Sequence, residues 1–521
     1  MSGPSRRNFA RVRAHLHRGE RPSAIDHAVN AVRADIPPPP ASLDERVLGP
    51  IRADCAAHTR HVRGRRIRRT GLWMMIAASM ALVLLVIKPA LPPPAPEGEQ
   101  ALASVPLTSD CGTTAEPARV RSGRRESGST RERLVVAGPW GDSEADAFET
   151  VLKRFSEKTG IPVLYAYRTR EIDKVLRHRL TRFCAPDVAL LPQPGLLREL
   201  AAEGHLEQID PATRRLVMHN QGSFWRKEGS VKEDLYGVWF KAANKSTLWY
   251  SRRLMDSVGA GAPATWSQLQ RTATKLHDND IAPFSVAGAD GWTLTDWFEN
   301  IYLRSAGKER YDDLTDHRIP WTHQTVRGAL RRMSEMLRRD RLPGGRRAAL
   351  MKTKFEASVD QVFATRPAAA MVYEGDFVAS QIDAEHADDA GVVPFPAIAG
   401  SEPSVVVGGD VAALMTPNPD GQRLVRFLAS VEAARLWARS GGISPNRRLE
   451  PEAYRDATTR GLAEALVKTE IKRFDLSDLQ PPAFGTSADQ GMRKILKDLL
   501  RGDIDVDGAA RQLEAAADRS R

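Results

Sequence analysis

The chain has 521 residues, which is enough for two or three domains with a large hydrophobic core. Its formal net charge is +11, and residues 1–70 carry +9 of it, because they contain 15 Arg against 6 Asp or Glu. The rest is close to neutral, so the charge gives no reason to expect that the main part of the chain binds nucleic acid. The basic segment has a single Phe, Phe9, and its arginines are otherwise not interleaved with Phe, Tyr or Trp. This favours membrane topology and contact with anionic lipid over nucleic-acid binding.

An apolar segment follows the basic one. Gly71–Ile87 contains 17 residues without a charge, near the lower limit for a membrane span, and six arginines lie between residues 60 and 69. Because basic residues stay on the cytoplasmic side, we predict one transmembrane helix at residues 71–88 with the N-terminus in the cytoplasm. The C-terminal part would then lie on the extracellular or periplasmic side. A cleaved signal peptide, with its cleavage site near Ala101–Ala103, is the alternative, but the segment before the apolar run is far too long for one.

Residues 89–130 are rich in Pro, Ser, Gly and Thr, and we expect a disordered linker there. Strand and helix then alternate three times within residues 132–210. Strands are expected at three places: Leu134–Ala137, Ile161–Tyr167 and Asp187–Leu191. The first helix should start with Asp142 or Ser143 as its N-cap and end at Gly160. Such alternation predicts a parallel sheet whose strands present ligand-binding residues at their carboxyl ends.

The three cysteines, Cys55, Cys111 and Cys184, lie too far apart for a structural metal motif. A Cys55-x2-His-x2-His run lacks a fourth ligand, so we expect neither a metal nor a cofactor. Cys111 and Cys184 would share the outer compartment. Their pairing is not favoured, because Cys184 is predicted to end a buried helix and few cysteines suggest little use of disulfides.

Several phrases of the sequence resemble one known family, the extracellular solute-binding proteins of bacterial ABC importers. The similarity is to the carbohydrate branch, which includes maltose- and α-glucoside-binding proteins. It extends from about residue 131 to the end of the chain. The phrases that carry it are Lys153–Tyr165, Pro186–Leu206, Leu235–Met255, Phe363–Val378, Val405–Met415 and Gly441–Leu449.

The resemblance implies an α/β fold with two lobes and a hinge, in which the ligand lies in the cleft between the lobes. We expect lobe one at about 131–240 and 400–442, and lobe two at about 245–393 and 443–515. The chain would cross between the lobes near Phe240–Lys245 and near Pro394–Pro403. Closure of two lobes around a ligand is a familiar switching motion.

A site for sugars needs flat aromatic side chains and planar groups that donate and accept hydrogen bonds. Loop aromatics and polar residues at strand ends meet this description, and nine residues are predicted to bind ligand: Trp140, Gln193, Trp239, Lys241, Asp290, Trp292, Tyr373, Glu374 and Asp410. Two have an equally simple structural role open to them, since Gln193 could bond within its own turn and Asp410 could cap one. Trp249, Tyr250 and Trp297 are expected in the core.

The sequence therefore predicts a membrane-tethered protein outside the cytoplasm that captures a sugar or oligosaccharide for import by ABC permease subunits. The alternative is a receptor that senses a ligand and signals through the span to residues 1–70, since a simple anchor would not need that segment. An enzyme is not expected. Glu299, Glu374 and Asp376 could suggest a glycosidase pair, but no spacing argument makes two of them flank one bond.

Overall fold

The computed structural model describes residues 133–168, 172–182, 184–345, 347–488 and 490–520. The predicted basic segment, the membrane span at residues 71–88 and the linker at residues 89–130 lie outside this part of the chain. Within it, no helix combines the length and apolarity that crossing a membrane requires. The prediction of a single-pass topology therefore depends on the sequence alone.

Two sheets organise the described residues. The first has six strands. Five of them follow the order β12-β11-β3-β1-β2, and the sixth, β6, also pairs with β11. The bounds of these strands are β1 Leu134–Gly138, β2 Val163–Arg168, β3 Val188–Leu191, β6 Gly237–Asn244, β11 Ser404–Leu414 and β12 Ile471–Phe474. Strands β1, β2 and β3 are parallel to one another, as the alternation of strand and helix predicts.

The second sheet has four strands, in the order β10-β7-β9-β8. Their bounds are β7 Thr247–Ser251, β8 Phe284–Ser285, β9 Met371–Glu374 and β10 Ala390–Pro394, and a separate two-stranded ribbon is formed by β4 Ser230–Val231 and β5 Asp234–Leu235. The chain thus leaves the first sheet after Asn244 and enters the second at Thr247. It returns between Pro394 and Ser404.

Helices cover both sheets. Those between β1 and β7 are α1 Asp142–Thr159, α2 Ile172–Thr181, α3 Pro194–Ala202, α4 Pro211–Asn220 and α5 Gly222–Glu228. Those between β7 and β9 are α6 Arg252–Ser257, α7 Trp266–His277, α8 Trp292–Ala306, α9 Lys308–Thr315, α10 Gln324–Met336, α11 Arg347–Leu350 and α12 Phe355–Asp360. Those after β11 are α13 Pro419–Leu428, α14 Val431–Arg439, α15 Ala457–Lys468, α16 Leu476–Leu479, α17 Pro482–Gly485, α18 Gly491–Arg501 and α19 Val506–Arg519.

The range 443–515, which the sequence analysis assigned to lobe two, is divided between the lobes. Strand β12 pairs with β11 in the first sheet. Helices α18 and α19 instead join the hydrophobic core of the second lobe, where Leu496 and Leu513 are buried with Trp297. The C-terminal part of the chain therefore connects the two lobes a third time, after β12.

Helix α1 begins one residue earlier than the predicted cap requires. Its N-cap is Gly141, so Asp142 and Ser143 already belong to the helix. Its end is as predicted, because Gly160 adopts a left-handed conformation with φ 74° and donates its N–H to the carbonyl of Ser156. This end fixes the turn into β2.

Cys184 departs from the expectation for the cysteines. It is disulfide-bonded, and the two other cysteines of the chain lie outside the described residues. Helix α2 ends at Thr181, so Cys184 lies in the connection to β3 and not in the predicted helix. A disulfide bond at this position therefore does not disturb the packing of α2.

The first turn of α3 touches the connection after α16 so closely that only glycine fits. A Cβ added at Gly195 would lie 2.0 Å from the carbonyl oxygen of Gln480. We therefore expect Gly195→Ala to lower the free energy of unfolding of the full chain by about 1–3 kcal/mol, because the backbone must shift. Urea denaturation would measure it.

The matched control is Gly461→Ala, on an exposed face of α15 where an added Cβ would meet nothing within 4 Å. Alanine favours a helix over glycine, so this variant should gain up to about 1 kcal/mol. Equal stability of Gly195→Ala and the unchanged chain would contradict the close contact.

Candidate functional site

Lys241 on β6 is the centre of a buried group of charges in the first lobe. Asp410 is its register partner on β11, and the register shifts next to this pair, between Asp410 and Val411. The Lys241 Nζ atom lies 2.5 Å from Glu144 Oε1, at the start of α1, and 3.7 Å from Asp410 Oδ2. We call Trp140, Glu144, Lys241 and Asp410 the Lys241 cluster.

Trp140 follows the end of β1 and completes this cluster. Its indole Nε1 donates to Asp410 Oδ2 at 3.1 Å, and its ring stacks on Trp437 with a centroid separation of 5.1 Å. The Lys241 Nζ lies 5.8 Å from the centre of the same ring. The aromatic face, the carboxylate and the ammonium are therefore adjacent, at the carboxyl end of a parallel strand where the fold predicts a ligand.

Lys245, four residues after Lys241, is the centre of a second group that we call the Lys245 cluster, with Asp296, Asp475 and Asp478. Its Nζ lies 3.3 Å from Asp296 and 3.5 Å from Asp478, and it is hydrogen-bonded to Asp475. Lys245 follows the last residue of β6 in the first sheet, whereas Asp296 lies on α8 in the second lobe. This lysine therefore joins charges from both lobes.

Helix α8 explains why so many polar groups meet here. Every residue from Thr293 to Arg304 is buried, so the helix lies inside the second lobe and its polar side chains need internal partners. Asp296, Glu299 and Asn300 share one face. Glu299 accepts the backbone N–H groups of Leu476 and Ser477 at 2.7 and 3.0 Å, so it caps α16 and does not belong to a pair of catalytic carboxyls.

The second lobe reaches the Lys241 cluster through the residues after β9. Asp376 Oδ1 accepts the backbone N–H of Asn244 at 2.5 Å, and the ring of Phe377 lies 6.0 Å from Lys241 Nζ. The ring of Trp292, at the start of α8, packs against Phe377 with a centroid separation of 5.8 Å. The two clusters and these aromatic rings thus line one junction between the lobes, which we call the cleft.

Burial sets the protonation of the cleft. It raises the pKa of Asp376 to about 7, although the N–H of Asn244 and the charge of Lys241 act against the rise. Burial likewise raises the pKa of Asp410 more than Lys241 lowers it. Asp475 differs: burial would raise its pKa too, but Lys245 and hydrogen bonds outweigh that effect and hold it well below its usual range. The charge of Lys245 is thus matched mainly to Asp475.

Three residues predicted to bind ligand are buried in the hydrophobic core: Trp140, which packs against Phe148, Phe240 and Trp437, and the two described next. Trp239 is fully buried, and its ring packs against Trp225 and Phe474. Tyr373 is also buried, because β9 runs from Met371 to Glu374 and Tyr373 lies within the strand. Its hydroxyl donates to the carbonyl of Lys245 at 2.6 Å. Tyr373 therefore holds the backbone where the chain crosses between the lobes, and it does not offer a surface to a sugar.

The other predicted residues have varied positions. Trp140, Lys241 and Asp410 are together in the Lys241 cluster, and Trp292 is half-buried beside the cleft. Asp290 accepts the backbone N–H of Phe355 at 2.6 Å.

Glu374 and Gln193 are the remaining two of the nine residues predicted to bind ligand. Glu374 is 2% exposed at the end of β9, and its electrostatic neighbours include Asp296 and Lys245 of the Lys245 cluster. Gln193 is half-buried at the N-cap of α3. Its side chain makes no capping hydrogen bond, so it does not fix the turn in that way.

Most of the partners of these residues were not predicted from the sequence. Those brought into the cleft by the fold are Glu144, Lys245, Asp296, Phe377, Asp475 and Asp478. Lys245 offered a signal, since it repeats Lys241 at a spacing of four along a predicted crossing. Asp475 and Asp478 lie some 230 residues further along the chain and carry no local pattern that separates them from helix-capping residues.

Two side-chain groups in the described residues bring three metal-ligating atoms together: His317, Glu514 and Asp518, and Asp383, Glu385 and His386. In the first, Glu514 already accepts the backbone N–H of Trp321 and lies 3.1 Å from His317 Nε2. The second is a set of neighbours on one surface turn. Neither gives a reason to assign a metal.

An open depression of about 440 Å³ lies elsewhere on the first lobe and is lined by Arg214, Arg215, Met218, His219 and Arg447. It has no aromatic ring except an imidazole, and no carboxylate. Its chemistry suits an anion and not the stacked ring and hydroxyls of a sugar.

Comparison with known proteins identifies the class. Residues 141–435 match the family model of the bacterial extracellular solute-binding proteins. The osmoprotective compounds-binding protein GgtB of Synechocystis is 30% identical, over 68% of this chain and 86% of that protein. The α-glucosides-binding periplasmic protein AglE of Rhizobium meliloti is 27% identical, over 68% of this chain and 81% of that protein. A solved chitin oligosaccharide binding protein superposes with a TM-score of 0.65 at 16% identity, over 74% of this chain and 98% of that one.

The chain therefore belongs to the bacterial extracellular solute-binding protein family. The two-lobed α/β fold that the resemblance implied is confirmed by the two sheets and by the superposition. As a member of this family the chain is a binding protein and not an enzyme.

The raised pKa of Asp376 makes stability depend on pH. Its carboxyl binds its proton more tightly in the folded chain, where the pKa is about 7, than in the unfolded chain, where it is about 4. The folded state then holds more protons than the unfolded state between these values, so this group makes the free energy of unfolding fall as pH rises from 4 to 7. Asp376→Asn should remove the fall and gain on the order of 4 kcal/mol relative to the unchanged chain by pH 7.

Urea denaturation at half-unit steps from pH 4 to pH 8 would measure the difference between the two proteins. Asp340→Asn, which alters an exposed carboxylate, serves as the control and should show no such trend. A constant difference for Asp376→Asn across the range would contradict the burial of an uncompensated carboxylate at this position.

Proposed function

We propose that the chain captures a sugar or oligosaccharide in the cleft between its lobes and delivers it to the permease of an ABC transporter. The observation that carries the proposal is the Lys241 cluster. Trp140 brings a broad apolar ring to the end of β1, while Lys241 and Asp410 bring a donor and an acceptor within a few ångströms of it. This is the combination that a sugar, with its apolar C–H faces and its hydroxyls, requires.

The names of the relatives support the same solute class. AglE is described as binding α-glucosides, a more distant relative from Streptococcus mutans as binding multiple sugars, and the superposed structure as binding chitin oligosaccharide. A further relative, from Pyrococcus horikoshii, is named an ABC transporter extracellular-binding protein, which supports delivery to ABC permease subunits as the partner function. No cofactor and no nucleic acid has a part in it.

Capture requires the lobes to move. Trp140, Glu374 and Asp410 are at most 5% exposed, so a solute reaches them only when the lobes separate. The crossings between β6 and β7 and between β10 and β11 are short enough to act as hinges. The differential affinity of the solute for the closed arrangement would then drive closure.

The location proposed for this function is outside the cytoplasm, with residues 71–88 as the tether. A disulfide at Cys184 fits an oxidising compartment. The tether itself rests on the apolar segment and the arginines before it. The alternative of a signalling receptor depends on residues 1–70, and none of the described residues adds an observation in its favour.

The first test is thermal unfolding of the full chain against mono- and oligosaccharides, amino acids and polyamines. A solute at 100 times its Kd should add about 2.7 kcal/mol to the stability of the chain and raise its melting temperature. A rise with one class of saccharide is the expected result. A chain that responds to no saccharide, or only to a solute that is not a sugar, would overturn the assignment.

Trp292→Ala tests the cleft directly. Trp292 is half-buried beside it, and loss of its aromatic face should lower the affinity for the identified saccharide by about tenfold or more. Phe427→Ala is the matched control: this ring is also half-buried, but it packs on Phe155 near the far end of α1. Calorimetric titration should give an unchanged Kd for the control. Equal losses in both variants would contradict a specific contact at Trp292.

A further inference from the structure

Cys184 forms a disulfide bond whose partner is one of two residues. It lies in the connection between α2 and β3 and is disulfide-bonded. The chain has two other cysteines, Cys55 and Cys111, and both lie outside the described residues. A disulfide within the chain therefore joins Cys184 to one of these two. The identity of the partner decides how the proposed tether is attached to lobe one.

Cys184 lies near the place where the chain enters lobe one. Three residues further on, the side chain of Asp187 accepts the backbone N–H of Val135 at 2.9 Å, and the backbone N–H of Asp187 donates to the carbonyl of Val135 at 2.8 Å. Asp187 also accepts hydrogen bonds from the side chains of Thr416 and Asn418. Since three residues span at most about 11 Å, Cys184 is held close to the start of β1.

This corner of lobe one is at the opposite end of the sheet from the cleft. Strands β1 and β3 are parallel, and Val136 pairs with Val188. Cys184 precedes β3, whereas Trp140 of the Lys241 cluster follows β1. A strand of five residues, such as β1, is about 17 Å long, which separates the disulfide from the ligand site. A tether attached at Cys184 would therefore leave the cleft open to a solute.

The compartment, and not the length of the chain, distinguishes the two possible partners. The 23 residues from Cys111 to Leu134 can extend over about 75 Å, and those from Cys55 can extend further, so both cysteines could reach Cys184. Cys55 precedes the predicted span at residues 71–88, on the cytoplasmic side, where thiols are kept reduced. Cys111 follows the span, on the same side as the two lobes.

We propose that Cys184 is bonded to Cys111, so that the predicted linker is attached to lobe one at the end of the sheet away from the cleft. The inference rests on the proposed location of the lobes outside the cytoplasm. The bond divides the linker in two. Residues 89–110 remain as the free tether, and the residues between Cys111 and β1 become a loop that is closed on lobe one.

A shorter tether is the consequence for transport. The free chain between the span and β1 has 45 residues without the bond and 22 with it. The effective concentration of a tethered domain at a partner in the same membrane falls roughly as the −3/2 power of the tether length, so this shortening raises it about threefold. The bond thus makes encounters of the loaded domain with permease subunits more frequent.

Formation of the bond requires an oxidant, for which we name a thiol-oxidising protein that carries a disulfide. The thiolate of one cysteine attacks that disulfide and forms a mixed disulfide, and the thiolate of the other cysteine then displaces the oxidant. The oxidant leaves as a dithiol with the two electrons and two protons that the cysteines have lost. Cys184 is 8% exposed, so the finished bond is shielded from reductants in solution.

Peptide mapping tests the pairing. The full chain, recovered from the membrane fraction, is alkylated while denatured and is digested without reduction by trypsin and Asp-N. Mass spectrometry should then find residues 110–119 joined to residues 183–186. Residues 54–60 joined to residues 183–186 would overturn the proposal and would place Cys55 outside the cytoplasm. An alkylated Cys184, or two copies of residues 183–186 joined together, would also overturn it.

Serine variants test whether the two cysteines act as a unit. Because a disulfide that closes a loop of about 70 residues constrains the unfolded chain, Cys111→Ser and Cys184→Ser should each lower the melting temperature of the full chain by about 3 °C or more. The double variant should fall no further, since either substitution already removes the bond. Cys55→Ser is the matched control and should leave the melting temperature unchanged. Additive losses in the double variant would contradict the pairing.

The affinity for saccharide separates this inference from the proposed function. Cys111→Ser should change the Kd for the identified saccharide by less than about twofold, since the bond and the cleft lie at opposite ends of the sheet. A larger change would contradict the proposed attachment away from the cleft. A chain that binds saccharide but shows a different peptide pair overturns this inference alone. The expected peptide pair in a chain that binds no saccharide overturns the proposed function alone.

Discussion

Two lysines on one strand hold the cleft together. Strand β6 carries Lys241 to the acids of the first lobe, and Lys245 follows it into contact with the acids of the second. Both ammonium groups are largely shielded from water, and burial by itself lowers the pKa of each. The carboxylates around them more than reverse that effect, so both lysines stay charged. Without these lysines the carboxylates of the two lobes would repel one another across the junction.

These buried charges add little to the stability of the fold, but they suit the binding of a ligand. Buried ion pairs seldom stabilise a fold more than apolar residues of the same size would, because desolvation opposes them. Burial raises the pKa of Asp376 and of Asp410 here, and Glu374 Oε2 has no hydrogen-bond partner among the described residues. A solute that supplies donors relieves this cost only when the lobes are closed. The charges that weaken the empty closed state are therefore the ones that let a ligand stabilise it.

The sequence predicted the parts of the fold that depend on local patterns. The alternation of apolar stripes identified β1 to β3 and their helices, and the glycine at position 160 marked the end of α1. Trp297 and Trp249 lie in the core as expected. Trp140 and Asp410 were predicted to bind ligand because each stands next to a glycine, and Lys241 because it lies at the predicted crossing between the lobes. The fold brings the three side chains together, and their contact with ligand stays a prediction.

The errors have a common origin in distances along the chain. Tyr373 was assigned to the site as a loop aromatic residue, but β9 runs to Glu374 and Tyr373 lies buried within it. Trp239 lies beside the bulge in β6, which only the pairing with β11 reveals. Asp475 reaches Lys245 across 230 positions, and no single sequence without its fold indicates that contact. Local chemistry can be read from the sequence, whereas the partners of a buried charge depend on the whole topology.

The most direct measurement is a crystal structure of the chain with the saccharide that gives the largest rise in melting temperature. The account predicts that the sugar lies between the two sheets, with Trp140 or Trp292 against its ring and Lys241 and Asp410 within hydrogen-bond distance of its hydroxyls. A sugar bound in the depression lined by Arg214, Arg215 and Arg447, with the cleft unchanged, would contradict it.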